Sequence, residues 1–419
     1  MNTLLAVSLL SAFLSFPDGL CYHRPANKIF NVVTDYGAVP DGVTDSTEAF
    51  QGAWEGACAW EGPGPRLVIP MGKFLVGPLE FKGPCKGKKV EVKVRGDVLA
   101  QTDLNLYTAR DWISFKYLSG LVLSGKGKFD GRGASAWAQN DCDKNKNCKH
   151  LPWSLGFSFV TNSTIRGITS VDSKSVHMQI FACNNLHLHS LKLIAPADSP
   201  NTDGIHVGVS RNIHIARSFI GTGDDCISIG PDTANLSVSK VFCGPGHGIS
   251  IGSLGRDREE GDVSGISVKN CTFADTTNGV RIKTWEASPT PSSAYNLKFE
   301  DLVMRNVDNP IVIDQKYCPH NYCNTKGGPS LVKISGVKFR NIRGETRTKT
   351  AINLVCSDSA PCEGIELSDI ELKYNVPGDY YNAAVDSYNT AVDSYNAAVA
   401  SCTNVKGSSK GTVIPPSCV

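Results

Sequence analysis

Apolar and polar residues alternate with a period of two in short segments along most of the chain. From about residue 112, such a segment typically begins with glycine or asparagine, as in Asn185–Leu188 and Gly336–Phe339. From Leu186 onward the segments recur at intervals of 23 to 40 residues, without the closely spaced turns of a hairpin sandwich. Period-two alternation indicates strands with one face turned to a core. The pattern therefore predicts an all-β solenoid, a parallel β-helix.

One segment near the N-terminus has helical periodicity instead. Residues 45–48, Asp-Ser-Thr-Glu, form a capping-box-like start, and Phe50, Trp54 and Cys58 follow at four-residue spacing. This spacing predicts a short amphipathic helix. Because a solenoid exposes the core of its first coil, we expect the helix to cover that coil.

The two ends of the chain differ from its middle. Residues 4–16 are an apolar run too short to span a bilayer, which predicts a signal peptide over about residues 1–20, although a first strand is an alternative. We expect the β-helix domain to occupy residues 28–374. Residues 375–419 form a tail in which a seven-residue unit recurs from Tyr381, Tyr388 and Tyr395. A helix or a tandem duplication in a tolerant region explains this repeat equally well.

The composition favours a secreted protein, and we also expect it to be a monomer. The chain has 15 cysteines, a usage expected where disulfides persist. Its net charge of +2 indicates neither a nucleic-acid partner nor a membrane surface. The cysteines and histidines lack the paired spacing that would predict a structural zinc site. The candidate disulfides are Cys142–Cys148, Cys318–Cys323, Cys356–Cys362 and Cys402–Cys418; the expected buried thiols are Cys183 and Cys271; the glycosylation sequons begin at Asn162, Asn235 and Asn270, the last inside a predicted strand.

Four polar islands between residues 201 and 283 interrupt the pattern. Asp203 and Asp225 are 22 residues apart, His247 follows after another 22, and Arg281 after a further 34. If each island occupies one coil, successive coils stack about 4.7–4.9 Å apart. Distant residues would then form one column of carboxylates, an imidazole and cations. The islands are Asn201–Gly204, Gly223–Cys226, Gly246–Gly248 and Arg281–Lys283.

The residue types in this column suit the cleavage of a glycosidic bond. One carboxyl group must donate a proton to the leaving oxygen while another activates water. Crowded like charges raise one carboxyl pKa and so supply the acid. Arg281 and Lys283 flank Ile282, so in a strand both side chains emerge on one face and could hold an anionic substrate. Taken singly, the islands also fit turns, a calcium site or a solvated strand face; their order at coil spacing favours catalysis.

The islands resemble the motifs of glycoside hydrolase family 28, the polygalacturonases. The resemblance extends over about residues 30–372 and is strongest to the plant, pollen-type exo-acting branch. It implies a right-handed parallel β-helix and inverting hydrolysis of the α-1,4-galacturonosyl bonds of pectin, without metal or cofactor. The motifs that carry it are Ser199–Gly204, Gly223–Cys226, Cys243–Gly252 and Gly279–Trp285.

The resemblance also implies a role for each site residue. Asp224 corresponds to the general acid, and Asp203 and Asp225 to the groups that position and activate water. His247 supports the protonation and orientation of the acid. The implied substrate-binding residues are Asn201, Arg281, Lys283 and Tyr317, of which Arg281 and Lys283 bind a galacturonate carboxylate.

Three alternatives remain open at this point. A pectate lyase would place carboxylates on calcium and use a basic side chain to abstract a proton, and a pectin-binding protein would keep the cleft without turnover. An endo-acting enzyme would share every island. The loop Ala138–Pro152 is either solvated surface or a wall that closes one end of the cleft, where Lys144, Lys146 and Lys149 could meet the terminal carboxylate.

Overall fold

The computed structural model describes residues 28–142, 144–145, 148–319, 323, 328–375 and 397–419. The expected signal peptide lies outside the described residues, as does most of the seven-residue repeat. Helix α1 spans Thr47–Ala59, and short 3-10 turns span Leu104–Leu106, Gly133–Ser135 and Trp137–Gln139.

Strands account for most of the described chain. In chain order they are β1 (Ile29–Asn31), β2 (Asp41–Asp45), β3 (Arg66–Ile69), β4 (Lys73–Val76), β5 (Leu79–Lys82), β6 (Val90–Val94), β7 (Asp97–Ala100), β8 (Asp111–Lys116), β9 (Leu121–Gly125), β10 (Lys128–Asp130), β11 (Trp153–Ser158), β12 (Thr161–Arg166), β13 (Thr169–Val171), β14 (Met178–Phe181), β15 (Asn184–His189), β16 (Lys192–Ile194), β17 (Ile205–Gly208), β18 (Arg211–Ala216), β19 (Phe219–Gly221), β20 (Ile227–Ile229), β21 (Ala234–Ser239), β22 (Phe242–Cys243), β23 (Ile249–Leu254), β24 (Val263–Ala274), β25 (Asn278–Trp285), β26 (Ser292–Val307), β27 (Asn309–Tyr317), β28 (Val332–Thr346), β29 (Thr350–Val355), β30 (Cys362–Tyr374), β31 (Val399–Thr403) and β32 (Val405–Ile414).

The strands stack in three parallel ladders, which are the three faces of a right-handed parallel β-helix. The first ladder is β1–β3–β6–β9–β12–β15–β18–β21–β24–β26–β28–β30–β32. The second is β2–β4–β7–β10–β13–β16–β19–β22 and joins β24, whose length covers both faces. The third is β5–β8–β11–β14–β17–β20–β23–β25–β27–β29–β31. The predicted fold class is confirmed.

The glycine or asparagine that opens each segment has a conformational reason. Asn185, Asn212 and Asn235 have φ values of 58°, 56° and 55°, in the left-handed region that asparagine and glycine tolerate best. Their side chains also bond between coils: Asn185 Nδ2 donates to Asn162 Oδ1 at 2.9 Å. All three sequon asparagines are exposed, including Asn270 inside β24.

The interior consists of rows of apolar side chains in register. Ile205, Ile227, Ile249 and Val280 oppose one another on successive strands of the third ladder, and each is 0 % exposed. Full burial of one such side chain contributes roughly 1.5–3 kcal/mol. These rows fix the register of the third ladder, so the polar residues just before its strands also lie one above another.

Helix α1 covers the first coil, as the sequence predicts. Trp54 stacks on Phe81 with ring centroids 4.9 Å apart, and its Nε1 donates to the Lys82 carbonyl at 3.1 Å. The expected capping box does not form. The Ser46 hydroxyl makes no cap hydrogen bond, and Asp45 Oδ1 accepts from the Thr47 amide instead, at 2.8 Å.

The β-helix continues past residue 374, where we expected it to end. β31 pairs with β29 and β32 with β30, so residues 399–414 add one more coil. The last repeat unit, residues 395–401, thus ends in a strand, and a helical repeat does not extend to it. The pattern missed β32 because this strand, VKGSSKGTVI, is mostly exposed and lacks alternating apolar residues.

Disulfides join coils and pin loops. All four candidate pairs are confirmed, and two further bonds are Cys58–Cys85 and Cys226–Cys243. Cys183 and Cys271 are buried free thiols, as predicted. Across the part of the chain that the structure describes, no helix is long and apolar enough to cross a membrane.

Candidate active site

The islands meet on the third ladder, each at the start of a strand or within one. Asp203, Asp225 and His247 lie two residues before the in-register Ile205, Ile227 and Ile249, so they form a column, as the 22-residue spacing predicts. Backbone bonds tie the coils together: the Gly204 amide donates to the Asp225 carbonyl at 2.9 Å, and the His247 amide to the Asp224 carbonyl at 2.8 Å.

The fourth member of the column is not Arg281, and the expected single column is wrong in this respect. Asn278 lies two residues before Val280, the in-register partner of Ile249, and its Nδ2 donates to the His247 carbonyl at 3.2 Å. Arg281 opposes Ser250 on β23, three residues further along the coil. Arg281 and Lys283 therefore lie outside the column, and both bond Asp225.

Asp225 is held as an anion by three side chains. Its Oδ1 accepts from Ser250 Oγ at 2.8 Å and from Arg281 Nη2 at 3.0 Å, and its Oδ2 accepts from Lys283 Nζ at 2.7 Å. The carboxylate is 1 % exposed. Burial alone would raise the pKa of Asp225, but Lys283 and Arg281 outweigh it and lower that pKa. Burial alone would lower the pKa of Lys283, but the negative charge of Asp225 outweighs it and raises that pKa.

Asp224 presents one bonded and one open carboxyl oxygen. Its Oδ1 lies 3.0 Å from His247 Nδ1 and accepts from the Asp225 amide at 2.7 Å. The hydrogen bond to Asp224 raises the pKa of His247 despite partial burial, which favours a proton on Nδ1. Within the described residues no donor contacts Asp224 Oδ2. That oxygen is free to carry a proton towards a ligand.

Asp203 has a different environment from Asp225. Ser228 Oγ donates to its Oδ2 at 2.7 Å, and no described cation bonds to it. Burial, followed by the charges of Asp224 and Asp225, raises the pKa of Asp203 well above its ordinary value. Ser228 in turn lies 2.7 Å from Nδ1 of His206, whose pKa burial lowers to about 4.

Tyr317 and Asn201 flank the carboxylates. The Tyr317 ring packs against Trp285, and its centroid lies 5.9 Å from the Arg281 guanidinium and 5.2 Å from Lys283 Nζ. Asn201 Oδ1 accepts from Asn140 Nδ2 at 2.9 Å. The structure thus brings together every site residue that the sequence predicts.

A cleft of about 1140 Å³ runs over this face and contains Asp203 and His206. Part of its lining comes from the loop Ala138–Pro152, so the structure favours the wall over the solvated-surface interpretation. Lys146 of this loop lies outside the described residues. The loop residues that line the cleft are Asn140, Cys142, Asn145, Cys148, His150 and Leu151.

Two arginines line the same cleft, each against a tryptophan. The Arg110 guanidinium lies 4.3 Å from the Trp153 ring centroid, near the loop, and that of Arg256 lies 5.5 Å from Trp285. Glu260, which bonds the Arg256 amide at 2.8 Å, brings negative charge to that end. No ion pair involves the Arg110 side chain within the described residues.

Sequence reasoning missed several of these contributors. Ser228 and Ser250 each follow an aspartate by 25 residues, at the polar centre of an Ile-Ser-Ile strand, and this repeated offset was the available signal. His206 had a similar polar position between apolar residues. Arg110 and Asn140 had no such signal, because loops outside the repeat bring them into the cleft.

A metal ion fits this cluster poorly. Oxygen or nitrogen atoms of Asp224, Asp225 and His247 lie within 4.8 Å of one another, which alone would allow a cation. Arg281 and Lys283 already bond both oxygens of Asp225, however, and their positive charges would repel a divalent ion. The donor set therefore favours an anionic ligand over calcium.

The fold and the site define a β-helix protein with a carboxylate-lined cleft. The model of the glycosyl hydrolases family 28 matches residues 62–393, which is more than half of the chain. The chain belongs to glycosyl hydrolase family 28. Its predicted family membership is thus confirmed.

Two known proteins, matched over at least nine-tenths of their length, support this membership, and a solved structure shares the fold. The chain is 43 % identical over 392 residues to an exopolygalacturonase of Platanus acerifolia, covering 94 % of this chain and 98 % of that one. It is 44 % identical over 387 residues to an exopolygalacturonase of Zea mays, covering 92 % and 90 %. The crystal structure of a Thermotoga maritima exopolygalacturonase superposes with a TM-score of 0.70 at 20 % identity, covering 83 % and 89 %, which shows the shared fold.

Proposed function

We propose that the protein is a polygalacturonase that hydrolyses α-1,4-galacturonosyl bonds and removes galacturonate from chain ends. One observation carries this proposal: Asp224 bonds His247, Asp225 bonds Arg281 and Lys283, and Asp203 lies on the adjoining coil, where the Gly204 amide bonds the Asp225 carbonyl. The exopolygalacturonases that the chain resembles over more than nine-tenths of its length support the substrate and the exo mode.

Asp224 is the general acid in this proposal. His247 Nδ1–H and the Asp225 amide both bond its Oδ1, so the acidic proton resides on Oδ2. Oδ2 protonates the glycosidic oxygen as the bond to the anomeric carbon breaks. Water attacks from the opposite face, loses its proton to a second carboxylate and inverts the anomeric configuration.

Arg281, Lys283 and Tyr317 bind the galacturonate unit beside the scissile bond. Both cations already pair with Asp225, and a substrate carboxylate would share their remaining donors. A guanidinium presents a planar fork of donors that matches a carboxylate. Asn201, held by Asn140, supplies polar contacts on the loop side.

The exo mode rests on the loop Ala138–Pro152, which lines the cleft and in this proposal closes one end of it. The disulfide Cys142–Cys148 constrains this loop, and Asn140 ties it to Asn201 next to Asp203. Arg110 lines the cleft beside Trp153, and we propose that it meets the terminal carboxylate there; the expected role of the loop lysines Lys144, Lys146 and Lys149 stays a prediction. Burial raises the pKa of the adjacent Asp111, against the opposing charges of Lys116 and Arg110.

The six disulfides of the described chain favour an oxidising, extracellular location such as the cell wall. A signal peptide over about residues 1–20 and a monomeric state complete the proposal. Secretion is tested by expressing the full chain in plant cells and sequencing the N-terminus of the protein recovered from the medium.

Digestion of polygalacturonate tests the function directly. We expect monogalacturonate from the first minutes, a slow fall in viscosity and an initial β-anomer by proton NMR. A fast viscosity drop with few new reducing ends would mean an endo-enzyme, and an initial α-anomer would mean retention. An ultraviolet-absorbing unsaturated product that no longer forms after a chelator is added would mean a lyase. Binding of polygalacturonate without any product would mean a pectin-binding protein.

A further inference from the structure

We propose that His206, acting through Ser228, positions Asp203 as the carboxylate that takes the proton from the attacking water. The inference rests on the proposed hydrolytic function and assigns the water-activating step to one of two candidate carboxylates. His206 does not touch the reacting atoms in this assignment, so it is a positioning residue.

The chain of contacts sets the direction of each hydrogen bond. Ser228 Oγ has one proton, which it donates to Asp203 Oδ2 at 2.7 Å. Its oxygen can therefore accept from His206 Nδ1, also at 2.7 Å, which requires the neutral tautomer protonated on Nδ1. Because burial lowers the pKa of His206 to about 4, the ring is neutral above that pH. Asp203 Oδ2 is thus fixed, and Oδ1, which has no partner among the described residues, is left to accept the proton of the attacking water.

The proton balance of the step is simple. Water transfers one proton to Asp203 Oδ1 while its oxygen forms a bond to the anomeric carbon. The glycosidic carbon–oxygen bond breaks, and the leaving oxygen takes the proton of Asp224. Asp225 is the poorer acceptor because Ser250, Arg281 and Lys283 hold its oxygens and lower its pKa.

All charged groups that face this relay affect its titration. Asp203 faces Asp224 and Asp225, which raise its pKa, and Lys283, which lowers it. His206 faces Lys283 and Arg110, which disfavour its charged form, and Asp225, which favours it. None of these groups changes when Ser228 or His206 is replaced, so the effect of the relay can be separated from theirs.

The test compares the pH dependence of kcat/KM in Ser228→Ala and His206→Ala with wild type. Losing a hydrogen bond to the carboxylate raises the pKa of Asp203 further, so the acidic limb should move to higher pH, by roughly one unit for Ser228→Ala. kcat/KM should fall roughly tenfold on the acidic side and recover as the pH rises. His206→Asn, whose side-chain amide offers an N–H near the position of Nδ1, should restore most of the profile.

The chain contains a matched control for these variants. His214 and Ser237 form the same contact, 2.8 Å between Nδ1 and Oγ, on the first ladder away from the cleft. His214→Ala and Ser237→Ala should leave the profile unchanged. Equal losses at every pH in Ser228→Ala, with an unmoved acidic limb, would overturn the proposal and make the contact structural. Should Ser228→Ala not fold, the His206→Ala and His206→Asn pair decides alone, and absence of hydrolysis by wild type would instead refute the proposed function.

Discussion

Two carboxylates of the site, Asp203 and Asp225, have the same construction and different electrostatics. Each receives a serine hydroxyl from the residue 25 positions later, Ser228 or Ser250, on the following coil. Each serine is then contacted by a nitrogen of a third residue. For Ser228 this residue is a histidine, and for Ser250 it is Arg281, whose Nε donates at 3.1 Å.

The two cations beside Asp225, which Asp203 lacks, separate the two pKa values. The guanidinium of Arg281 and the ammonium of Lys283 lower the pKa of Asp225, whereas Asp203 has no bonded cation and its pKa is raised. Environments that push paired carboxyl groups apart assign them separate roles in catalysis. The solenoid repeats the aspartate and serine positions, and Lys283 and Arg281, which among the described residues bond Asp225 and not Asp203, make the two environments different.

The largest effect should come from Asp224, which precedes Asp225 in the chain and accepts from its amide. Asp224→Asn removes the proton donor while keeping the side-chain shape, so kcat should fall roughly 10²–10⁴-fold. Binding of oligogalacturonate, measured by calorimetry, should change little. Near-normal turnover would remove Asp224 from the acid role and leave the Asp203–Asp225 comparison without its catalytic meaning.

Lys283→Ala should remove one of the two cations that distinguish Asp225 from Asp203. The pair is buried, with side chains 9 % and 1 % exposed, and loss of one partner leaves an anion held by Arg281 and Ser250 alone. Removing one member of a buried pair typically costs about 3–5 kcal/mol of unfolding free energy. Denaturant unfolding measures it.

The exposed pair Lys338–Glu366, 3.5 Å apart, is the control. Lys338→Ala should change stability by less than about 1 kcal/mol, as for other surface pairs. A loss in Lys283→Ala as small as this would show that Asp225 does not depend on its cation.

Arg110→Ala tests a cation that, unlike Arg281, forms no ion pair with a carboxylate among the described residues. Its effect should therefore appear in substrate binding, because no partner carboxylate loses an ion pair. If Arg110 meets the terminal carboxylate, KM should rise roughly tenfold, the value of one lost charge-assisted contact. The rise should be the same for short and long oligogalacturonates, since every chain has one end. Arg211, exposed on β18 of the first ladder, supplies the control variant Arg211→Ala.

The sequence predicts the repeated features of the coils better than it predicts the side chains that surround the site residues. Alternation and the asparagine positions specify the ladders, and the 22-residue spacing places Asp203, Asp225 and His247 in one column, because both depend on local backbone geometry. Asn278, Ser228 and Arg110 were not predicted as site residues. Their contribution depends on register between coils or on loop paths, and these follow from packing over long sequence separations.

The smallest effect should distinguish Asp203 from Asp225 by stability alone. The raised pKa of Asp203 means that its ionised form is disfavoured in the folded state, a penalty that Asp203→Asn removes. The variant should be more stable at pH 7 by about 0.5–2 kcal/mol, the usual size of a stabilising substitution, while losing activity. A raised folded pKa means that the folded state binds the extra proton, so the wild type should gain stability relative to the variant as pH falls through that pKa towards the unfolded value of about 3.9. Asp225→Asn should instead destabilise at pH 7, because it leaves Arg281 and Lys283 without their anion. Thermal unfolding of both variants from about pH 4, near the ordinary carboxyl pKa, to about pH 7 measures the contrast. Equal destabilisation by the two substitutions would show that the carboxylates share one electrostatic environment.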